Sequence, residues 1–420
     1  MTRFEISQKP RPLPLAHWEI ARQLESLGIE VWTQGETLLD DLLPIQARRT
    51  NRLGPASTRS FLCAAPAERL LHALPRAVVT AERRRRLSLG TPAGPIDLLP
   101  LADQTIAEVL PHFGLSALSF AWRPTRETWS EDGLEARTLF AQSRLDIVPG
   151  AASSNLFQIA PRRFWTAARL LAEYDLEASP GLIETARAAL PSCLRRVPQG
   201  APARREIQRI LLAQSPAKGL RFLHSVGLCD ALFPGMAGDA AEIVAALEPL
   251  PSLRWAAWLS GTPTQTALSK LRMPPRLARE IQRLLRHHPI ERFSESYGET
   301  GLRRIRQRLR PQEIEALFSW RRQELARQGD SDEIRQSNGQ FEALEKQLEE
   351  LARERAAKRR VRELAIDGQI AMRILDCGPG RRIGRALVHL AAFVEAHPDS
   401  NQPQVLRAEL LRWAARDSTP

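Results

Sequence analysis

Acidic side chains that could hold a metal ion are sparse in the first part of the sequence. Asp40 and Asp41 are adjacent carboxylates near Gly35. Neighbouring residues on a helix point about 100° apart, so this pair fits a helix surface better than one shared ion. Asp97 stands alone in the strand-like run GPIDLLPL, and it is either a metal ligand or a solvated residue at a strand edge. Because one carboxylate cannot hold two divalent ions, the residues alone predict no metal site.

The cysteines and histidines do not form a catalytic or metal-binding pattern. The cysteines are Cys63, Cys193, Cys229 and Cys377, all far apart in the sequence. We interpret them as buried thiols in a reducing compartment. His287-His288 is not followed by Asp, and the sequence contains no His-Asp dipeptide. This argues against an HD-type phosphohydrolase module.

The charge balance favours a polyanionic partner. The chain has 60 Lys and Arg against 48 Asp and Glu, a net charge of +12, and only five of the 60 are lysines. Guanidinium groups match phosphate geometry better than ammonium groups do. A solvated basic surface in a protein from a high-GC genome is the alternative. The sequence has no apolar run of bilayer length and no apolar signal core at its start, so we expect a cytoplasmic protein.

Two groups of arginines are candidates for contact with RNA phosphates. The first group is Arg303, Arg304, Arg306 and Arg308, and the second group is Arg381, Arg382 and Arg385. The first group would present its charge mostly on one side of a helix. The second follows a Gly-Pro-Gly turn at a predicted helix N-terminus, where free backbone N–H groups favour a phosphate. A solvated face and a plain interhelical turn are the respective alternatives.

The elements that must position these residues change in type along the chain. Helical spacing in residues 16–30, followed by the runs VWT, LPRAVVT and GPIDLLPL, predicts a helix and short strands. From about Pro161 onward the periodicity is helical, with most breaks at Pro or Gly. Residues 329–338, GDSDEIRQSN, predict a polar linker. We therefore expect an α+β fold, with a mixed sheet in a small head and an all-helical remainder.

The order of motifs in the helical part resembles that of bacterial tRNA nucleotidyltransferases, the CCA-adding enzymes, and their poly(A) polymerase relatives. Residues 203–236 are similar to the family's neck, and residues 364–412 to its tail, including Gly368, Gly384 and Asn401. The likeness covers about half of the chain. It implies a nucleotidyltransferase-like head at 1–155, then an elongated helical neck at 156–236, a body at 237–330 and a tail at 331–420.

In the head, the residues that the family uses to bind metal are replaced. The family's Gly-Gly pair before Arg-Asp, which cradles a triphosphate, corresponds to Gln34-Gly35-Glu36. Its Asp-x-Asp pair corresponds to Thr58-Arg59-Ser60, and hydroxyls with an arginine cannot hold two Mg²⁺ ions. Its third carboxylate corresponds to Asp97. The resemblance thus implies a degenerate catalytic head in which Asp97 is a remnant.

The family's base-reading motif is only partly retained. The pattern Glu-Asp-x-x-Arg-x-x-Arg corresponds to Ile159-Ala160-Pro161-Arg162-Arg163, so both acids are missing, and Thr166 stands where the second Arg would be. Arg163 and Arg169 correspond to retained arginines, and with Gly35 they are the candidate nucleotide-binding residues. For both arginines, a plain position on the flank of the helix after the head is the alternative.

Two functions compete on this basis. The favoured one is a tRNA-binding or RNA-binding member of the family with lost or impaired catalysis and no cofactor. The alternative is an active nucleotidyltransferase that adds CMP or AMP to RNA 3′ ends, with Mg²⁺ and ATP or CTP. In both, the partner is tRNA or another structured RNA, gripped through backbone and shape. A third interpretation, a scaffold for a protein partner, leaves the basic surface without an explanation.

Overall fold

The computed structural model describes residues 8–43, 58–81, 86–130, 135–150, 155–291, 308–328 and 332–417. The chain forms two compact units. The first comprises Met1–His288 and Ser319–Glu324, and the second comprises Pro289–Phe318 and Leu325–Pro420. The predicted α+β class is confirmed, because the first unit contains a mixed seven-stranded sheet and the rest of the described chain is mainly helical. The finer division into head, neck, body and tail stays a prediction.

The sheet has the strand order β3-β4-β5-β2-β1-β6-β7. Its strands are β1 (Val31–Gln34), β2 (Arg59–Cys63), β3 (Val78–Ala81), β4 (Arg86–Leu89), β5 (Ile96–Pro100), β6 (Ala121–Arg123) and β7 (Thr128–Ser130). β2 and β5 are parallel, and all the other neighbouring pairs are antiparallel. The three strand-like runs of the sequence coincide with β1, β3 and β5, so these strand predictions are confirmed.

Both faces of the sheet carry apolar clusters, because strand residues alternate between the faces. On one face, Phe61 and Leu98 pack with Leu24 of α1 (Leu15–Ser26) and Leu70 of α3 (Ala67–Ala73). On the other face, one end is covered by a second cluster around Leu62. The helix α2 (Glu36–Leu42) follows β1 directly. This arrangement leaves the other end of the second face to polar side chains.

Helices make up most of the remaining first unit. They are α4 (Ile106–Val109), α5 (Ala136–Ala141), α6 (Leu156–Ile159), α7 (Arg163–Glu173), α8 (Pro180–Cys193), α9 (Gly200–Leu211), α10 (Pro216–Ser225), α11 (Leu228–Leu232), α12 (Ala240–Ala246), α13 (Pro251–Trp258), α14 (Thr264–Lys270) and α15 (Pro275–Arg286). A short parallel pair, β8 (Arg144–Leu145) and β9 (Glu177–Ala178), lies between them. Several helices begin with proline, whose fixed φ and missing N–H suit the first helical position.

The remaining helices are α16 (Pro311–Leu325), which contributes to both units, and four in the second unit: α17 (Asp332–Arg362), α18 (Gly368–Leu375), α19 (Arg381–Ala396) and α20 (Pro403–Asp417). α17 begins inside the predicted polar linker, so that prediction is wrong for residues 332–338. Asp332 and Glu333 occupy its first turn, where negative charge is stabilised by the helix dipole. Polarity alone therefore did not distinguish an exposed helix from a linker.

Asn401 ties the connection before α18 to the segment before α20. Its side-chain oxygen accepts a hydrogen bond from the backbone N–H of Ala365 (2.9 Å), and its amide donates to the carbonyl of Glu363 (3.0 Å). Around this contact α18, α19 and α20 share a core that includes Ala371 and Leu390. The structure thus gives Asn401, noted in the sequence, a role in holding these helices together.

A glycine allows close packing between α7 and α10. A Cβ on Gly219 would overlap the carbonyl oxygen of Ala168 and lie 3.1 Å from the Cβ of Ala172. By contrast, a Cβ on Gly384 of α19 would meet nothing within 4 Å. Gly219 therefore sets the separation of the two helices, whereas Gly384 is a helical glycine at an open surface.

The same substitution at these two glycines is expected to have opposite effects. Gly219→Ala should lower the free energy of unfolding by about 2–3 kcal/mol, because α10 must move away from α7. Gly384→Ala should raise it by about 0.5–1 kcal/mol, because alanine loses less backbone entropy in a helix. Urea denaturation followed by circular dichroism measures both. A neutral Gly219→Ala would contradict the close packing of these helices.

Candidate functional site

A polar row crosses one face of the seven-stranded sheet. Ser60 on β2 lies opposite Asp97 on β5, and Asp97 lies opposite Ser88 on β4. Gln34 on β1 lies on the other side of Ser60. Residues in register on neighbouring strands share a face, so the four side chains form a line. Asp97 is the only acidic residue in the seven strands described, and the row therefore offers hydroxyls, an amide and one carboxylate.

The carboxylate of Asp97 is paired with an arginine. Arg86 lies two residues before Ser88 on β4 and therefore on the same face. One of its guanidinium nitrogens is 3.4 Å from Oδ2 of Asp97, and the two side chains are 44% and 17% exposed, respectively. A partly exposed pair of this kind contributes little to stability. The pair nevertheless gives Asp97, the acidic residue of the polar row, a countercharge within the chain.

The adjacent acids of α2 point to separate partners, as their angular separation predicted. Oδ1 of Asp40 accepts a hydrogen bond from the hydroxyl of Tyr174 (3.0 Å). Oδ2 of Asp41 is 2.7 Å from a guanidinium nitrogen of Arg59. Burial raises the pKa of Asp41, and Arg59 opposes that rise. Because Arg59 is one residue away from Ser60, it faces the opposite side of the sheet from the polar row.

These residues do not fit a pair of magnesium ions. Mg²⁺ requires hard oxygen ligands in octahedral geometry, and a two-metal site needs carboxylates that hold both ions. Beside Asp97 the strand β2 and the residue preceding it provide only the hydroxyls of Ser60 and Thr58. Across the described ranges, no three His, Cys, Asp or Glu side chains come together as a metal site. Among these side chains only Asp97 is a carboxylate, so together they offer a divalent ion at most a single, weak ligand.

Gly35 forms the turn between β1 and α2. Its φ of +84° lies in the left-handed region that favours glycine, and the space beside its Cα is open. Its carbonyl accepts the hydrogen bond of the Leu38 N–H (3.0 Å). Glu36 follows as the first residue of α2, where its negative charge is stabilised by the helix N-terminus. The negative charge at the N-terminus of α2 therefore comes from Glu36, a residue of the chain itself.

Two arginines of the helical part bind that carboxylate. Arg169 of α7 reaches Oε1 of Glu36 at 2.5 Å, and Arg209 of α9 reaches Oε2 at 2.8 Å. Both arginines also contact Glu173 at 3.0 Å, and Arg169 contacts Glu206 at 2.6 Å. Five charged side chains from α2, α7 and α9 therefore form one network.

The network lowers the pKa of Glu36. Burial alone raises this pKa, but the charges and hydrogen bonds of Arg169 and Arg209 outweigh that effect and bring the pKa to about 2. Burial likewise lowers the pKa of Arg169, and Glu36, Glu173 and Glu206 together raise it well above its ordinary value. Glu36 and Arg169 are thus held in their charged forms by the groups of opposite charge around them.

The predicted nucleotide-binding residues occupy different environments. Gly35 lies at an open turn, as described above. Arg169 is buried, and its three guanidinium nitrogens contact three carboxylates. Arg163 is buried at the first turn of α7, where its backbone N–H donates to the carbonyl of Ala160. Nucleotide binding by these residues stays a prediction.

The predicted RNA-binding arginines are only partly within the described residues. Arg308 is exposed, and Arg303, Arg304 and Arg306 lie outside the described residues. Arg381, Arg382 and Arg385 are exposed in the first turns of α19, as the sequence predicted. Their contact with RNA stays a prediction.

Sequence reasoning missed the two arginines that matter most for the acids of the head. Arg86 is not among the candidate residues that the sequence indicates, although its spacing from Ser88 places both on one face of a strand. Arg209 is three residues after Glu206 on α9, a spacing that puts the two on one side of the helix. The sequence held no signal that Arg209 would meet Glu36, 173 residues earlier.

The Glu36 network makes a pH-dependent contribution to stability. Because the pKa of Glu36 falls from its ordinary value of 4.5 to about 2 on folding, the contribution is complete above pH 4.5 and is lost as the pH falls toward 2. Glu36→Gln should therefore cost about 2–3 kcal/mol at pH 7 and much less at pH 3. Melting curves of both proteins from pH 8 to pH 3 measure this. Glu206→Gln is the control: Glu206 has one contact to Arg169, so its loss should lower the stability at pH 7 by less. A stability difference between Glu36→Gln and the unaltered protein that stays constant down to pH 3 would count against the network.

A second carboxylate beside Asp97 is expected to create a metal site at the polar row. Ser60→Asp should lower the Tm without metal, through repulsion between the two acids, and Mg²⁺ or Mn²⁺ should raise it again by about 2–4 °C. Ser60→Asn is the matched control and should not respond to metal. A saturable rise in the Tm of the unaltered protein with Mg²⁺ would show that its own donor set suffices.

No family model matches the sequence, and no curated protein matches it either. Solved structures do match. The Bacillus stearothermophilus CCA-adding enzyme in complex with CTP has a TM-score of 0.58 and 17% identity, over 96% of this chain and 98% of that one. The Thermotoga maritima CCA-adding enzyme complexed with tRNA has a TM-score of 0.57 and 14% identity, over 94% and 93%.

A third match is a structure described as a tRNA-processing enzyme in an apo form. Its TM-score is 0.57 and its identity 11%, over 80% of this chain and 99% of that one. At these identities the likeness is one of fold. The chain therefore has the fold of the CCA-adding enzymes along nearly its whole length.

Proposed function

We propose that the chain is an RNA-binding member of the tRNA nucleotidyltransferase family in which nucleotidyl transfer is lost or impaired. The observation that carries this proposal is the pairing of Asp97 with Arg86 in a row that offers no second carboxylate among the described strand residues. Asp97 stands between two serines and has Arg86 as its countercharge, where two-metal transfer needs several free carboxylates. The chain would then require neither Mg²⁺ nor ATP or CTP to act.

The RNA-binding half of the proposal is supported by charge and by fold. The net charge is +12, and all but five of the 60 basic residues are arginines. Arg308, Arg381, Arg382 and Arg385 are exposed. One structure of the same fold holds tRNA. Contacts between arginine side chains and the RNA backbone recognise an A-form helix by its shape. We expect the RNA to be tRNA.

None of the helices in the described ranges combines the length and the apolar character that a bilayer span needs. A protein partner is compatible with the same basic surface, and the exposed arginines favour an acidic one. We retain RNA as the primary partner because guanidinium groups pair most effectively with phosphate.

An active nucleotidyltransferase is the second candidate, and two retained features favour it. Gly35 keeps the open turn before α2, and Asp97 keeps a position on the central strands beside β2. A structure of the same fold binds CTP. In this candidate Mg²⁺ and ATP or CTP would be required, with Asp97 as the ligand of the metal.

Nucleotide incorporation separates the two candidates. The purified chain is incubated with a tRNA transcript that lacks its 3′ CCA, with labelled CTP and ATP, and with Mg²⁺. We expect no incorporation above the blank, while a CCA-adding enzyme extends the same transcript. Robust incorporation that is lost in Asp97→Asn would establish the second candidate instead.

Salt dependence tests the RNA-binding half separately. If about six phosphates are contacted, log Kd against log salt should have a slope of about 4–5 in magnitude, because each contact releases condensed cations. Filter binding of the tRNA transcript between low and physiological salt measures the slope. A flat response, or no binding at low salt, would contradict RNA recognition through phosphates.

A further inference from the structure

Four arginines form a stripe along α15. Arg276, Arg279, Arg283 and Arg286 follow each other at spacings of three and four residues. At 100° per residue they fall within an arc of about 80°, over a length of about 15 Å. Arg276, Arg279 and Arg286 are exposed, and the Arg276 side chain is 85% exposed. We call these four residues the arginine stripe.

The rest of α15 explains why the arginine stripe faces outward. Ile281 and Leu284 are buried, and the helix packs against α13. On a helical wheel these two residues lie on the side opposite the arginine stripe. The packing of α15 therefore fixes the face of the helix from which the four arginine side chains extend.

Acidic residues that could neutralise the arginine stripe are few in the sequence around it. From Arg272 to Arg286 the sequence contains five arginines and one acid, Glu280, a net charge of +4. Glu280 lies 3.4 Å from Arg276, and Arg279 donates a hydrogen bond to the carbonyl of Pro275 on its own helix. Like charges three and four residues apart destabilise an isolated helix. An anionic partner would remove that repulsion.

The basic surface continues beyond the N-terminus of α15. Arg272 is exposed just before the helix, and its side chain lies next to Gly200. Arg204 of α9 donates a hydrogen bond to the carbonyl of Arg272. Arg272 and Arg204 thus continue the basic surface from the arginine stripe to α9. This lengthens the surface over which a polyanion could lie.

The chemistry of this surface favours a nucleic-acid backbone over a protein. Protein interfaces depend on buried apolar or aromatic anchors surrounded by a polar rim. α15 carries none of the large exposed apolar side chains found in the described chain. A row of guanidinium forks without such anchors matches successive phosphates, which position a helix without reading its sequence.

We propose that the arginine stripe of α15 is a contact surface for the phosphate backbone of a structured RNA. The inference rests on the RNA-binding function proposed above and adds to it a surface in the first unit. It is distinct from the arginines at the start of α19, which belong to the second unit.

The experiment compares three variants of the full chain in binding to the tRNA transcript across a range of salt. In the stripe variant, Arg276→Gln, Arg279→Gln and Arg286→Gln are combined. In the matched control, the exposed arginines of the head are changed as Arg22→Gln, Arg76→Gln and Arg126→Gln, with the same change in net charge. In the third variant the three stripe residues become lysine. Circular dichroism melting confirms that each variant is folded.

We expect the stripe variant to bind at least about 10-fold more weakly and with a salt slope shallower by about 2–3, since each lost phosphate contact removes close to one unit. The control should bind like the unaltered chain, and the lysine variant should keep most of the slope. Equal binding by the stripe variant and the control would overturn this surface and leave RNA binding intact. If the unaltered chain itself does not bind, the proposed function fails together with this inference.

Discussion

Three carboxylates on or next to the seven-stranded sheet pair with arginines, and the proposed loss of catalysis depends on this pairing. Glu36 contacts Arg169 and Arg209, Asp41 contacts Arg59, and Asp97 contacts Arg86. A paired carboxylate gains charge neutralisation from its partner and has less to gain from a metal ion. Under the proposed function, these acids serve in structural ion pairs and not in phosphoryl transfer.

The network around Glu36 shows what such pairing does for the fold. It joins the turn after β1 to α7 and α9 through five charges, with Glu173 and Arg169 almost fully buried. Buried ion pairs are costly to desolvate, and removing one partner leaves an uncompensated charge. The geometry at the start of α2 is thus fixed by the chain's own side chains.

Much of the architecture could be predicted from local patterns, and the pairings could not. Strand-like runs located β1, β3 and β5, and helical periodicity with breaks at Pro or Gly indicated the helical character of the chain from about Pro161 onward. Whether Thr58 and Ser60 stand beside Asp97 depends on the parallel register of β2 and β5, which links residues far apart in sequence. Arg209 meets Glu36 only after α9 has packed. The polar start of α17 was misjudged because exposed helices and linkers have similar compositions.

We propose that the polar row of the sheet does not bind a pair of divalent ions. Crystals of the chain soaked with Mn²⁺ and CTP test it most directly, because anomalous scattering locates the metal without reference to activity. The account predicts no manganese peak within coordination distance of Asp97, with the Arg86 pair intact. A pair of manganese ions bound at Asp97 with the phosphates of CTP would contradict it.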